Sequence, residues 1–206
     1  MKVLILFAIL AIAVATTVPF VDIKEELKDA ECIRNSYTKI CVRGFLSMGK
    51  VDPYVVKSLA AADKAGIEAD VYMIPCFYCN DPEKQALTMM TALKDSKFKM
   101  LWVTVEGTWS SDLARNRQFL VNLTMSLEKN GAKNLGIFTF QPTWERIFGK
   151  DYSDFSNKPL WYIRWNENPN DNDFVPFGGW KKPAAKQYDT ENEECAMTVD
   201  NDSSFT

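Results

Sequence analysis

The chain has 206 residues, of which 47% are hydrophobic and 13% aromatic, and its formal net charge is -3. This composition suits one globular domain with a sizeable core, and without a basic stripe it argues against nucleic acid or an anionic membrane as a partner. The absence of histidine excludes Ser-His-Asp and Cys-His catalysis and the usual zinc ligands, so acid–base chemistry would fall to Asp, Glu, Tyr, Lys or Cys.

The first fifteen residues have the pattern of a secretory signal peptide. Lys2 precedes an apolar run at residues 3–12, and Ala13-Val14-Ala15 supplies an Ala-x-Ala cleavage motif. An uncleaved anchor is the alternative, but the run is short for crossing a bilayer. We predict a signal peptide at residues 1–15 and one mature domain at 16–206. That domain would be secreted or lie in a lysosomal or phagosomal lumen, with no membrane partner.

Strand and helix patterns alternate along the mature chain. Strands are predicted at residues 18–23, 39–47, 70–75, 101–106, 135–140, 159–165, 184–188 and 197–200. A polar amphipathic segment covers residues 25–35. Eight strands in one domain, with helices concentrated early, favour a closed barrel over an open sheet. The predicted fold is α/β, a single-domain, irregular eight-stranded β/α (TIM-like) barrel.

The helix predictions depend on capping residues. Asp52-Pro53 opens a helix that Gly66 ends, and Asp81-Pro82 precedes a helix at residues 83–97. Ser110 or Ser111 is the expected N-cap of a long helix that reaches residue 130, where Gly131 closes it.

Three acids are the candidate catalytic groups. In the strand at residues 101–106, alternation places Trp102, Thr104 and Glu106 on one face. Asp22 ends the first strand and Asp200 the last, and these two strands are neighbours in a closed barrel. Because catalytic groups of β/α barrels cluster at one mouth, the three carboxylates are expected to meet there. The alternative is that they are solvated acids at strand ends.

Five cysteines suggest disulfides in an oxidising compartment. Cys76 and Cys79 are close enough in sequence to form a local bridge, and Cys32 with Cys195 could join the two ends of the domain. Cys41, inside an apolar strand, is expected to be a buried thiol. A thioredoxin-like redox role for Cys76-x-x-Cys79 is the rival interpretation. No cofactor or metal is predicted, since the Asn/Asp cluster at 170–173 matches no calcium-loop spacing.

Aromatic residues are dense and tilt the prediction towards a carbohydrate substrate. Flat rings stack on sugar faces, although Trp and Tyr also fill cores. The aromatic residues concerned are Trp102, Trp109, Trp144, Trp161, Tyr162, Trp165 and Trp180.

An ordered series of motifs resembles the eukaryotic branch of glycoside hydrolase family 25, the lysozymes (N-acetylmuramidases) of protists and nematodes. The resemblance covers essentially the whole mature chain. The motifs are CVRGF at 41–45, GKVD at 49–52, AGI at 65–67, DVYMIPC at 70–76, LWVTVEG at 101–107, PLWY at 159–162, FGGW at 177–180, KQY at 186–188 and CAMTVD at 195–200.

The resemblance implies hydrolysis of the β-1,4 bond between N-acetylmuramic acid and N-acetylglucosamine in bacterial peptidoglycan, for defence or digestion. Asp22 falls on the family's first-strand acid, Asp200 on its last-strand acid and Glu106 on its general acid. Thr104 falls on the Asp of the Asp-x-Glu motif. In the family, that aspartate is expected to help stabilise a charged intermediate while the substrate's own acetamido group attacks. A threonine supplies no charge, and losing one such group costs about 10²- to 10³-fold in rate.

Two functions therefore follow from the sequence. One is a secreted muramidase with Glu106 as proton donor and Tyr72, Trp102, Thr104, Tyr162 and Trp165 as candidate substrate-binding residues. The other is a peptidoglycan-binding or regulatory protein with the same barrel fold but with weakened or no catalytic activity. The threonine at position 104 is the reason for considering it. In either case the expected partner is cell-wall peptidoglycan, and the protein is expected to be a monomer.

Overall fold

The computed structural model describes residues 17–205, so the predicted signal peptide lies outside the described residues. This range forms nine strands and five α-helices, which follow one another along the chain as β1 Thr17–Ile23, α1 Ala30–Ser36, β2 Lys39–Leu46, β3 Lys50–Val51, α2 Val55–Ala65, β4 Glu68–Met73, α3 Pro82–Ala92, β5 Leu101–Thr104, α4 Leu113–Lys129, β6 Leu135–Thr139, α5 Gln141–Phe148, β7 Leu160–Ile163, β8 Ala185–Glu194 and β9 Met197–Phe205.

Eight of these strands close into a barrel. Strand β1 pairs with β2 on one side and with β9 on the other, and the circuit runs β1-β2-β4-β5-β6-β7-β8-β9. The short β3 only extends β2 as a hairpin. The predicted irregular eight-stranded barrel in a single domain is confirmed.

The last strand is the main irregularity of the barrel. Strand β9 is antiparallel to both of its neighbours, β8 and β1, whereas the other barrel pairs are parallel. Both β8 and β9 are longer than the sequence predicted, and they form a hairpin. Asp200 consequently lies within β9 and not at its end, but the reversed direction brings the first half of β9 to the same mouth as the ends of the parallel strands.

Two apolar layers are separated by the barrel wall. The outer layer packs between the strands and the helices, and it contains Leu101, Val103 and Val105. The inner layer fills the barrel and contains Trp102, so the predicted alternation of β5 is confirmed. A Cβ at Gly136, the register partner of Trp102, would come within 2.3 Å of the Trp102 ring. Glycine on β6 thus makes room for the indole.

The helix caps agree with the sequence in part. Gly66 ends α2 in the left-handed region at φ 73°, and the Asp81 side chain caps α3 by accepting the Lys84 N–H. The predicted serine cap of α4 is wrong: Asp112 is the N-cap and accepts backbone N–H groups of the first turn. A carboxylate complements the helix dipole better than a hydroxyl does.

Helix lengths also differ from prediction. Helix α3 ends at Ala92, five residues before the predicted end, and α5 was not predicted at all. The N-cap of α5, Phe140, makes no side-chain hydrogen bond, so this helix lacks the usual sequence signal. Across residues 17–205, none of the helices has the length and apolarity needed to span a membrane.

Two disulfides restrain the barrel. Cys32 of α1 is bonded to Cys195 in the turn between β8 and β9, and Cys76 is bonded to Cys79 in the turn that follows β4. Cys41 is an unpaired, buried thiol inside the barrel. The Cys76–Cys79 pair lies in a short 3₁₀ turn before α3, and not in the first turn of that helix where a redox pair would feel the helix dipole.

Candidate active site

A cleft of about 280 Å³ opens at the carboxyl ends of the parallel strands. Of the residues predicted for the site, six line it: Asp22, Tyr72, Thr104, Glu106, Trp165 and Asp200. A larger groove of about 780 Å³ lies at the opposite end of the barrel, where α2, α3 and α4 end and β4, β5 and β6 begin. The acids of that groove, Asp63 and Glu68, are already paired with lysines. The smaller cleft is therefore the candidate active site.

Asp22 and Asp200 are direct register partners across β1 and β9. Gln187 Nε2 donates to Asp22 Oδ2 at 2.7 Å. The Lys24 ammonium lies 3.4 Å from Asp200 Oδ2, and the backbone N–H of Glu191 donates to Asp200 Oδ1 at 2.8 Å. Burial, and secondarily the charge of Asp200, raises the pKa of Asp22 to about 7. The two acids therefore differ: Asp200 has a cation beside it, whereas Asp22 becomes ionised only as the pH approaches 7.

Glu106 stands just beyond β5 on a restrained loop. The Trp109 indole donates to the Glu106 carbonyl at 2.9 Å, and Arg146 donates to the Gly107 carbonyl at 3.0 Å. Burial, followed by the charge of Asp200, raises the pKa of Glu106 to about 7. A carboxyl with this pKa is protonated over much of the acidic and neutral range, as a general acid requires.

Thr104 lies two residues before Glu106, on the same inner face of the barrel, and it forms part of the cleft wall. Its side chain is almost completely buried, and within residues 17–205 no group forms a hydrogen bond with its Oγ1. A buried hydroxyl without a partner costs free energy unless it has another purpose. Because Thr104 is part of the cleft lining, this hydroxyl is a candidate contact for a bound molecule, although the Oγ1 atom itself is covered in the free protein.

Two of the predicted aromatic residues, Tyr72 and Trp165, line the cleft. Tyr72 is buried at its floor, where burial and the charge of Asp22 raise its pKa well above the ordinary value. Trp165 is 64% exposed at the rim, and its indole Nε1 donates to Gln187 Oε1 at 3.0 Å. This fixed and exposed ring is suited to stacking on a sugar.

The structure does not bring Trp102 and Tyr162 to the cleft, which corrects two predicted substrate contacts. Trp102 lies deeper in the barrel and donates to Asp70 Oδ2 at 3.1 Å. Tyr162 points outwards, because its neighbour Trp161 takes the inward position, and its hydroxyl donates to Asp173 at 2.6 Å.

Several cleft residues were missed from the sequence, among them Lys24, Arg43 and Gln187. Arg43 donates to Asp52 at 2.8 Å, so its guanidinium is anchored beside the cleft. Strand alternation from the inward Cys41 would have identified Arg43. Gln187 could be found only from the register of β8 against β9. Across residues 17–205, no group of three or more acidic or cysteine side chains has the arrangement of a metal site.

A closed β/α barrel with a carboxyl of raised pKa and two further acids at one mouth is the arrangement expected of a glycoside hydrolase. Residues 13–188 match the family model described as Lysozyme-like protein 1. The chain is 36% identical over 177 residues to Probable GH family 25 lysozyme 4 of Dictyostelium discoideum, covering 84% of this chain and 82% of the relative. The chain therefore belongs to the glycoside hydrolase family 25 lysozymes, and the resemblance is confirmed.

Solved structures agree on the fold. The family GH25 lysozyme from Aspergillus fumigatus has a TM-score of 0.75 at 16% identity, covering 92% of this chain and 94% of that one. The modular autolysin LytC from Streptococcus pneumoniae, solved in complex with a synthetic peptidoglycan ligand, has a TM-score of 0.76 at 15% identity, covering 92% of this chain and 47% of that one.

Proposed function

We propose that the protein hydrolyses the β-1,4 bond between N-acetylmuramic acid and N-acetylglucosamine in bacterial peptidoglycan. The observation that carries the proposal is Glu106, a carboxyl at a barrel mouth whose pKa is raised to about 7 by burial and by Asp200. Membership of a lysozyme family supports the substrate class, as does the peptidoglycan ligand in the LytC complex.

The proposed reaction uses Glu106 twice. Its proton passes to the glycosidic oxygen as the bond from that oxygen to the anomeric carbon breaks, while the carbonyl oxygen of the substrate's own acetamido group attacks that carbon. Glu106 then takes a proton from water, which opens the cyclic intermediate and regenerates the acid. Asp200, together with Asp22 to the extent that it is ionised, supplies negative potential near the positive charge that develops on the sugar.

Thr104 and Trp165 would hold the sugar while this happens. The Thr104 hydroxyl, which has no partner within residues 17–205, can accept a hydrogen bond from the acetamido N–H. It cannot offset positive charge as a carboxylate would, so we expect a slower enzyme than one with the full Asp-x-Glu motif. Trp165 offers its exposed ring to the sugar face.

The test is release of reducing sugar from purified Gram-positive walls between about pH 4 and pH 8, a range that brackets the raised pKa of Glu106. We expect release by the wild-type protein and none by Glu106→Gln. The matched control is Glu68→Gln, which removes an exposed carboxylate that is paired with Lys99 outside the cleft and should leave the rate unchanged. Absence of release at every pH would overturn the hydrolase proposal.

The threonine at position 104 favours a second candidate function, a peptidoglycan-binding or regulatory protein that does not cleave. That protein would sediment with insoluble walls without releasing reducing sugar, and Trp165→Ala would reduce the bound fraction. Loss of both binding and hydrolysis in the well-folded wild-type protein would exclude both candidates.

We also propose that the protein acts outside the cytoplasm, in secretion or in a lysosomal or phagosomal lumen, for defence or digestion. The Cys32–Cys195 and Cys76–Cys79 bonds support an oxidising compartment. N-terminal sequencing of the protein from its native cells should begin at Thr16. A native chain that retains residues 1–15 would contradict this proposal.

A further inference from the structure

A fourth acid, Asp202, lies inside the barrel beneath the cleft. It follows Asp200 by one alternation on β9, so it also points inwards, and its register partners are Phe20 on β1 and Gln187 on β8. It is completely buried, and it is not part of the cleft lining. The proposed reaction gives it no role.

The hydrogen bonds of Asp202 account for only one of its two oxygens. Trp161 Nε1 donates to Oδ1 at 2.9 Å. Within residues 17–205, no N–H or O–H group donates to Oδ2. Asp22 lies diagonally across the β1–β9 pair from Asp202 on the same inner face, and Gln187, the register partner of Asp202 on β8, donates to Asp22 Oδ2 at 2.7 Å. A buried carboxylate oxygen without a donor is costly, whereas a protonated Oδ2 could donate to Asp22. Two carboxylates cannot share a hydrogen bond unless one of them carries a proton.

The surroundings decide which acid holds that proton. Asp22 on β1 and Asp200 on β9 both raise the pKa of Asp202 well above its ordinary value, in addition to the larger effect of burial. The thiol of Cys41 on β2, itself raised in pKa by burial, is uncharged. The nearby ammonium groups are engaged elsewhere: Lys24 lies beside Asp200, and Lys39 pairs with Asp70. Asp202 is therefore the acid that stays neutral.

We propose that Asp202 is a positioning residue: it remains protonated on Oδ2 and donates a hydrogen bond to the Asp22 carboxylate, which favours the ionised form of Asp22 and orients its carboxyl group in the cleft. No proton leaves Asp202 during turnover. The catalytic consequence rests on the proposed hydrolysis, in which Asp22 shapes the charge around the sugar. The hydrogen bond itself is a property of the resting protein and can be measured without substrate.

Three variants separate the contributions. Asp202→Asn keeps an oxygen for Trp161 and an N–H donor for Asp22, so it should behave like the wild type. Asp202→Ala removes both and should raise the pKa of Asp22 by about one unit, because a hydrogen bond to a charged group is lost. Trp161→Phe, the control, removes the indole donor together with part of a buried ring, and it should leave the proton on Asp202.

The experiment combines infrared spectroscopy, a ¹³C NMR titration of the Asp22 carboxyl and the pH profile of wall clearing. At about pH 8, where Asp22 and Glu106 are mostly ionised, the wild type and Trp161→Phe should show the band of a protonated buried carboxyl, and Asp202→Asn should lack it. In the NMR titration, Asp202→Asn should keep the wild-type Asp22 pKa, and Asp202→Ala should shift it upwards. The range of pH over which walls are cleared should lose part of its acidic side only in Asp202→Ala, because Asp22 would then ionise at a higher pH.

The outcomes distinguish this inference from the proposed function. A band that persists in Asp202→Asn, or is absent from the wild type, would overturn the inference, as would an Asp22 pKa that rises as much in Asp202→Asn as in Asp202→Ala. If Asp202→Ala does not fold, the infrared comparison of the other two variants decides. Infrared and NMR results as expected, without sugar release from walls, would refute only the hydrolase proposal.

Discussion

Replacing Thr104 with aspartate tests whether the cleft lacks only a charge. The Thr104 side chain is almost fully buried, its hydroxyl has no partner within residues 17–205, and it lines the cleft of about 280 Å³. Thr104→Asp should increase the rate of wall hydrolysis, because a negative group would then face the charged intermediate. A preorganised charge of this kind is worth about 10²- to 10³-fold, or about 3–4 kcal/mol in the barrier.

The same substitution should move the pH profile. Alternate residues of a strand are about 7 Å apart, and two charges at that distance repel by about 2 kcal/mol at an effective dielectric constant of 20. Solvent at the cleft reduces the effect on Glu106 to about one pKa unit. Since that pKa is already raised to about 7, the alkaline limb of activity should move upwards by about the same amount.

The assay is the initial rate of reducing-sugar release across pH for the wild type, Thr104→Asp and Thr104→Asn. The asparagine variant has nearly the same size and hydrogen-bonding capacity as aspartate but carries no charge, so it should show no gain. Circular dichroism and thermal unfolding confirm that each variant is folded. A folded Thr104→Asp without higher activity, or an equal gain in Thr104→Asn, would refute the electrostatic explanation.

Three further predictions concern stability and binding. Because the pKa of Glu106 is raised from 4.5 to about 7, the unfolding free energy should fall as pH rises through that window, and urea unfolding of Glu106→Gln should show a shallower decline. Trp165→Ala should raise the KM for wall fragments several-fold without lowering the Tm, since the ring is 64% exposed, whereas Trp102→Ala should cost about 3–5 kcal/mol of stability in urea. The paired Cys32→Ser and Cys195→Ser substitutions should cost about 5 kcal/mol by chain entropy, because the bond spans 163 residues; an unchanged urea midpoint would contradict this.

Much of the site could be predicted because it depends on local periodicity. The alternation of β5 places Thr104 and Glu106 on the inner face whatever the rest of the chain does. Closure of a barrel makes the first and last strands neighbours, and this was sufficient to bring Asp22 and Asp200 together. These inferences needed only a period of two and a circular strand order.

The features that were missed depend on which face of a fully buried strand turns inwards. Strand β7 is apolar on both faces, so the adjacent aromatics Trp161 and Tyr162 could not be assigned to the inside and the outside from their own chemistry. Asp202 was missed because β9 is longer than its apolar part, and a tail of Asn, Asp and Ser does not resemble a buried strand. Its position follows only from its pairing with β8 and β1.

The reversed last strand also has a consequence for biosynthesis. Until β9 is added, the nascent sheet has two open edges, on β1 and β8, and an incomplete chain of this kind is prone to aggregate. Both neighbours of Asp22 on β9, Asp200 and Asp202, arrive with that strand. Wall-clearing activity would thus be expected only after translation is complete and the barrel has closed. Truncation of the chain within β9 should yield insoluble protein and not a partially active enzyme.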